Sequence, residues 1–392
     1  MDPSKKILPL TRREFVTGSA AGMAVTGLAG TTWAASDNWS GPNAAGSSGA
    51  TRVIIDTDPG VDDALALLLA MRSPELKIEG ITPVAGNVPL DFTLPNALRM
   101  VEIAGRTDIP VAAGARSPLV RRSVTAAQVH GENGLDGAIF PEPKTKPIAE
   151  SAAEFICQTV RKYPGEVTLI TIGPLTNVGA ALSSDSSLAG MIPRLVMMGG
   201  SLSGGNITPS AEFNIYVDPE AARIVFQSGI PITMVGLDVT RKTSLTEEHV
   251  SLLQAAQNPV SQAAAQIARK AIDHLHARGY VVGPNMHDSL AVAAFLDPSI
   301  LKWREYYVDV ETSGELTAGE TVGYSPYAGD DRRKEEMEKK ATMVINGSAP
   351  TLLSTRSSPV IRNNFVPNTN VAIDVDSPRF FDLLIGRLTG KR

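Results

Sequence analysis

The 392-residue sequence contains a single cysteine, Cys157. One thiol cannot close an intrachain disulfide, and it cannot build a cysteine-ligated zinc site. Cys157 lies in an apolar helical pattern with Ala153, Phe155, Ile156 and Val160 and reads as a small core residue. Aromatic residues make up 5% of the chain, and there are only five histidines. Charge of one sign is not in excess either. A net charge of −5 lacks the basic face with which a protein grips a nucleic-acid backbone, so no nucleic-acid partner is expected. The apolar run from Gly18 to Gly30 is too short and too glycine-rich to span a membrane, which takes about 20 apolar residues. No internal repeat is visible. The four glycines between Gly199 and Asn206 lack the Lys-Ser/Thr that would make them a phosphate loop.

What is present is an ordinary globular composition, 43% hydrophobic and 20% charged, enough for one large α/β domain or two small ones. The N-terminus stands apart from it. Lys5 and Lys6 precede Thr11-Arg12-Arg13-Glu14-Phe15-Val16, and the Gly/Ala-rich apolar run and Thr32-Trp33-Ala34 follow. Paired arginines, an apolar stretch and a small-x-small site outline a bacterial twin-arginine signal peptide over residues 1–34. Engagement of the twin-arginine export machinery and a periplasmic or secreted location are therefore expected. Residues 35–50 are rich in Ser, Gly and Asn and read as a linker, leaving 51–392 as the folded domain.

The domain is organised around Val53-Ile54-Ile55-Asp56-Thr57-Asp58-Pro59-Gly60-Val61-Asp62-Asp63. An apolar run ends in four aspartates within eight residues, and a helical pattern follows through Leu69. The reading is a buried parallel strand, a tight Pro-Gly turn and a helix opening at the acid pair. Asp62 and Asp63 gain a little from the helix N-terminus, which cannot neutralise the whole cluster. A hard divalent cation with oxygen ligands can, and Ca²⁺ fits best because it accepts many carboxylates in loose geometry.

The rest of the chain repeats strand, short loop, helix. Strands are expected at Leu76 to Val84, Ile109 to Ala113, Val167 to Ile172, Leu195 to Met198, Ile230 to Val235 and Val371 to Val375. Helices are expected over 94–105, 147–163, 246–278 and Phe380 to Leu388. That alternation predicts an α/β fold with a doubly wound, mostly parallel sheet and helices on both faces. The loop Val129-His130-Gly131-Glu132-Asn133-Gly134 carries one of the five histidines, and polar glycine-rich loops carry function more often than packing. Asn285-Met286-His287-Asp288 sets a His-Asp pair at a helix start. His249, His274 and His276 read as surface residues. Asp330 to Lys340 reads as a solvated charged run and 346–370 as a long loop.

Several of these pieces resemble one family. Asp56-Thr57-Asp58-Pro59-Gly60-Val61-Asp62-Asp63-Ala64, Asn87, His130-Gly131, Met198-Gly199-Gly200, Asn206, Glu212-Phe213-Asn214 and His287-Asp288 fall in the order and spacing of the inosine/uridine-type nucleoside hydrolases. The resemblance runs from about Arg52 to Leu388, with 325–370 as an atypical region. It implies hydrolysis of ribonucleosides to free base and ribose, Ca²⁺ as cofactor and a homo-oligomer. Asp58, Asp63 and Asp288 resemble the side-chain Ca²⁺ ligands, and the backbone oxygen of Ile172 maps to a carbonyl ligand; the family more often has Thr there. Asp58 resembles the general base and Asn87 the group that orients the attacking water. Asp62 resembles the acceptor of the ribose 2′-hydroxyl, Asn206, Glu212 and Asn214 the binders of the 3′- and 5′-hydroxyls, and Met198 a residue lining the ribose. His287 resembles the partner of the leaving base and His130 a base-pocket residue. Arg278 to Pro284, with Tyr280, is expected to form a flap over the base, and two histidines suggest tolerance of both base classes.

Those roles make chemical sense. Breaking an N-glycosidic bond passes through an oxocarbenium-like sugar, which nearby carboxylates stabilise. The leaving base is an anion unless protonated, so an acid is wanted opposite the water. Asp56 is expected to brace the loop from behind. Two other readings compete. An Asp-x-Asp phosphatase needs Thr or Val where Gly60 stands. An exported nucleoside-binding protein without catalysis would lack Asp58, Asn87 or His287, and all three are present.

Overall fold

The computed structural model describes residues 49–325 and 366–391. The twin-arginine segment, nearly all of the linker, the charged run Asp330 to Lys340 and most of 346–370 lie outside the described residues.

Eight strands form one sheet: β1 (Thr51–Thr57), β2 (Leu76–Pro83), β3 (Val167–Thr171), β4 (Leu195–Met198), β5 (Ile232–Val235), β6 (Leu301–Val310), β7 (Thr321–Tyr324) and β8 (Thr369–Val375). Their order is β2-β1-β3-β4-β5-β8-β6-β7. The six strands from β2 to β8 in that order are parallel, whereas β6 pairs antiparallel with both β8 and β7. The alternation seen in the sequence thus yields the expected doubly wound sheet, extended by an antiparallel edge.

The apolar runs are continuous because both faces are covered. Val53 and Ile55 of β1 enter one core with the helices Val61–Met71, Pro259–Ala277, His287–Leu296 and Ser377–Thr389, while Ile54 enters the opposite core with Ala152–Lys162, Thr176–Ser184 and Pro219–Phe226. β3 and β4 split in the same way.

Three expectations need correction. Ile109 to Ala113 is not a strand; it makes a single bridge between Val111 and Ile81. Pro110, having no N–H, cannot extend the ladder. Residues 246–278 are two helices, Glu247–Ala255 and Pro259–Ala277, because Asn258 caps the second through Ser261 N (2.9 Å) and Pro259 opens it. Of the three histidines read as surface, only His276 is exposed. His249 is half-buried and stacks on Phe381 at 4.0 Å, and His274 bonds to Asp136.

The strand order places a crevice. From β1 the chain goes to β2 on one side, then crosses to β3 on the other. Such a reversal opens a cleft beyond the carboxyl ends of the strands, and the carboxyl end of β1 is where the aspartates stand.

Candidate active site

Each functional side chain follows the carboxyl end of a strand or opens a helix above it. Asp56, next to last in β1, has a buried carboxylate: Oδ2 accepts from Thr82 Oγ1 (2.6 Å) and Asn177 Nδ2 (2.8 Å). It ties β1 to β2 and to the helix after β3, which is the bracing role expected of it. Asp58, two residues on, is fully buried. Its Oδ2 accepts from Asn87 N (2.7 Å), and its Oδ1 has no hydrogen-bond partner. Close backbone seats this carboxylate. A β-carbon on Gly86, after β2, would lie 2.1 Å from Oδ2, and one on Gly173, after β3, would lie 2.6 Å from Oδ1. Only glycine leaves the room.

Asp63 is held by four donors: Thr57 Oγ1 (2.7 Å), Asp58 N (3.1 Å), Gly60 N (3.0 Å) and Asn87 Nδ2 (2.9 Å). Asp62, Asp63 and Asp288 each offer an oxygen within 4.8 Å of the others, and all three are buried. Asp288 enters from the first turn of His287–Leu296. Burial, then the charges of Asp62, Asp63 and Asp58, hold its carboxyl well above the usual range. Burial and the Asp63 charge do the same to Asp58, and Asp62 is pushed up to about 7 by the same two causes.

An unpaired buried carboxylate oxygen beside mutually repelling carboxylates is costly unless a cation sits among them. The donors are oxygens, with no thiolate, which suits a hard divalent ion. The residues present therefore fit a metal. The group of three contains Asp62 where the resemblance names Asp58, yet Asp58 acts on Asp288 through its charge and its Oδ1 is without a partner; Asp56 Oδ1 is unpartnered too, but its carboxylate is tied to Thr82 and Asn177 behind the cluster. The free Asp58 oxygen favours Asp58 as a ligand, since Asp63 already accepts four hydrogen bonds. Ile172, the residue after β3, lines the cleft, and its carbonyl accepts from Asn214 Nδ2 at 3.3 Å.

Above this floor lies a cleft of about 540 Å³. On one wall, Glu212 caps the short helix Phe213–Val217 and accepts from Asn214 N (3.0 Å), Gly200 N (3.0 Å) and Ile215 N (3.3 Å). Asn214 Nδ2 also reaches Met198 O and Sδ (3.3 and 3.4 Å), and Asn206 Oδ1 accepts from Phe213 N (2.9 Å). On the other wall stand His130 and His287. Burial pushes each down to about 4, so both rings are neutral near pH 7. His130 Nδ1 accepts from Val61 N (3.1 Å), which puts the ring proton on Nε2 as a donor. His287 Nδ1 shares a hydrogen bond with Thr240 Oγ1 (2.7 Å). Arg278, Tyr280 and Val282 form part of the rim, with Tyr280 and Val282 about half exposed.

The structure thus gathers Asn87, Asp62, His130, Ile172, Met198, Asn206, Glu212, Asn214, His287 and Asp288 around one cleft, with Asp58 and Asp63 in its floor. Sequence reading missed Thr240 and the Asp136–His274 pair; their partners are distant in the chain.

A sheet cleft with an acid floor, one wall of amide and carboxylate side chains and another of two histidines defines an enzyme-like pocket for a small polar molecule. Residues 53–382 match the model of the inosine-uridine preferring nucleoside hydrolases, and the chain belongs to that family. The pyrimidine-specific ribonucleoside hydrolase RihA of Shigella boydii is 42% identical over 337 residues, covering 86% of this chain and 97% of that protein. Among solved structures, a plant nucleoside hydrolase superposes with a TM-score of 0.74 at 31% identity (86% of this chain, 99% of the other). A purine-preferring ribonucleoside hydrolase from Gardnerella vaginalis gives 0.73 at 31% (87% and 98%). The chain is a ribonucleoside hydrolase, acting on N-glycosyl bonds.

Proposed function

We propose that this hydrolase is Ca²⁺-dependent, acts through an oxocarbenium-like transition state, and takes pyrimidine ribonucleosides by preference. The observation that carries the metal and the mechanism is the free, buried Asp58 Oδ1 among mutually repelling carboxylates at the cleft floor.

Asp58, Asp63, Asp288 and the Ile172 carbonyl would hold the ion. When bound, Ca²⁺ supplies positive charge that offsets the carboxylates, favours deprotonation of water and engages vicinal hydroxyls. Asp58 takes the proton of the attacking water, and Asn87, anchored on Asp58 O (3.2 Å) and Asp63, orients that water. Asp62 accepts from the ribose 2′-hydroxyl, while Asn206, Glu212 and Asn214 take the 3′- and 5′-hydroxyls and Met198 lines the sugar. Fixing the ribose in one pose contributes to rate by removing its freedom before reaction. As the C1′–N bond breaks, the carboxylates offset the charge on the sugar. Water oxygen bonds to C1′ as the base leaves, and the base takes its proton from the protonated form of His287, a minor form at pH 7 but a strong acid, with His130 Nε2–H contacting it.

The pyrimidine preference is supported by the 42%-identical relatives, whose names specify it, against purine preference in a structure only 31% identical. Export through the twin-arginine machinery and a periplasmic or secreted location rest on Arg12-Arg13 and the apolar run after them. The division into signal (1–34), linker (35–50) and hydrolase (51–392) rests on the same composition shift. Assembly as a homo-oligomer rests on the family resemblance alone. The test is release of ribose from a panel of nucleosides with and without chelator. Faster cleavage of uridine and cytidine than of inosine, abolished by chelator and restored by Ca²⁺, is the expected result. Activity indifferent to chelator overturns the metal reading, and faster purine cleavage overturns the preference.

A further inference from the structure

The helix Pro259–Ala277 ends beside the loop that carries His130, and two ties join them. His274, in the last turn, bonds through Nδ1 to Asp136 Oδ1. Arg278, which caps the helix, donates from Nη1 to Gln128 O (3.0 Å). Asp136 is the one non-glycine with a left-handed φ (52°) among the described residues. Aspartate tolerates that region better than most side chains, but a residue held there needs surroundings that fix it. Its backbone N donates to His130 O (2.7 Å), its side chain is only 5% exposed, and it lines the same cleft. The chain of contacts is therefore continuous. His274 holds the Asp136 carboxylate, Asp136 N holds the His130 carbonyl, and the His130 ring sits on Val61 N at the start of the helix that bears Asp62 and Asp63.

We propose that Asp136 and His274 are a positioning pair that sets the His130 ring against the leaving base. Neither touches the reacting atoms. The pair fixes the loop from which His130 reaches the cleft, and it does so from the helix whose end continues into the rim at Arg278 and Tyr280. Loss of the tie frees the strained φ at Asp136, and His130 loses its carbonyl anchor while the aspartate floor keeps every contact described above. This inference rests on the reading of His130 as a base-side residue.

The test compares natural nucleosides with p-nitrophenyl riboside, whose leaving group departs without a proton or a polar contact. His274→Ala is expected to lower kcat/KM for uridine and inosine by roughly 10- to 100-fold, the cost of a small misplacement, and to leave p-nitrophenyl riboside within about threefold, a ratio read directly from transition-state stabilisation. His274→Gln keeps a donor and should recover most of the loss. Asp136→Gly relieves the backbone but removes the carboxylate, and is expected to match His274→Ala. The double variant Asp136→Gly/His274→Ala should be no worse than either single change, because one contact is lost once. An equal fall for both substrates means a merely structural role and overturns the proposal. So does wild-type activity in Asp136→Gly, which would make strain the only issue. Wild-type protein that cleaves neither substrate overturns the proposed function and this inference together; active wild type with unaffected variants overturns this inference alone.

Discussion

Gly173 lies so close to Asp58 that a β-carbon on it would fall 2.6 Å from the carboxylate Oδ1, the oxygen left without a donor. The residue that follows the Ile172 carbonyl is thus a steric partner of the proposed general base, just past the end of the neighbouring strand β3. Gly173→Ala should displace the Asp58 carboxylate. Expected is a fall in kcat for every substrate by roughly 10²-fold or more, the scale of a misplaced reacting group, with weaker Ca²⁺ retention in metal analysis of the purified protein. Full activity in the variant would show that Asp58 Oδ1 is not where the reaction happens.

The ribose wall predicts discrimination against deoxy substrates. Removing the 2′-hydroxyl leaves Asp62 without its partner in a buried site, and sites built around a hydroxyl reject the analogue that lacks it by roughly 10⁴-fold or more. Comparison of kcat/KM for uridine and 2′-deoxyuridine measures this directly. Similar values would move the 2′-position away from Asp62.

His287 serves the leaving base and Asp58 the water, so their variants should separate by substrate. His287→Ala is expected to slow natural nucleosides by roughly 10²- to 10⁴-fold, the range for loss of a proton donor, and to spare p-nitrophenyl riboside. Asp58→Asn should slow both. The ratio of kcat/KM between the two substrates is the measurement; an equal fall on the His287 variant shifts the donor role to His130.

Glu212 gives a stability signature. Burial raises its carboxyl from 4.5 to about 7, against four backbone donors that pull it down. A raised acid retains its proton in the folded state while the unfolded chain has lost it, so its contribution is fully present below pH 4.5 and declines as pH rises through 7. Relative to wild type, Glu212→Gln should therefore gain stability across that window, by up to about 3 kcal/mol. Denaturant midpoints for both proteins at pH 4.5 and 7.5 check it. A constant gap would mean that Glu212 titrates alike in both states.

Replacing Arg12 and Arg13 by Lys should trap the precursor in the cytoplasm. Fractionation and immunodetection read the outcome, and unchanged mature protein in the periplasm would exclude the twin-arginine route.

Much of this site was legible because its chemistry is local. Val53-Ile54-Ile55 announces a strand covered on both faces, and four aspartates after it announce a cation. His287-Asp288 stands at a helix start in the sequence and in the fold. The antiparallel edge was not legible. Residues Leu301–Val310 carry Lys302, Arg304, Glu305 and Asp309 on a partly solvated strand, which lacks the apolar run that flags a strand covered on both faces. The break at Asn258-Pro259 was written in a dipeptide that favours turns and was overridden by the helical period on either side. The Asp136–His274 pair spans 138 residues, and no local pattern can report a contact that only the folded chain creates.

The place of β8 has a consequence for how the chain is made. Among the described strands it alone pairs with both the five strands from β2 to β5 and the β6–β7 hairpin, bonding to β5 on one side and β6 on the other. Yet it leaves the ribosome after both of them. Until residue 375 emerges, β5 and β6 both present open edges, which are the ready templates for aggregation. β8, made after both of its neighbours, thus acts as the keystone of the sheet.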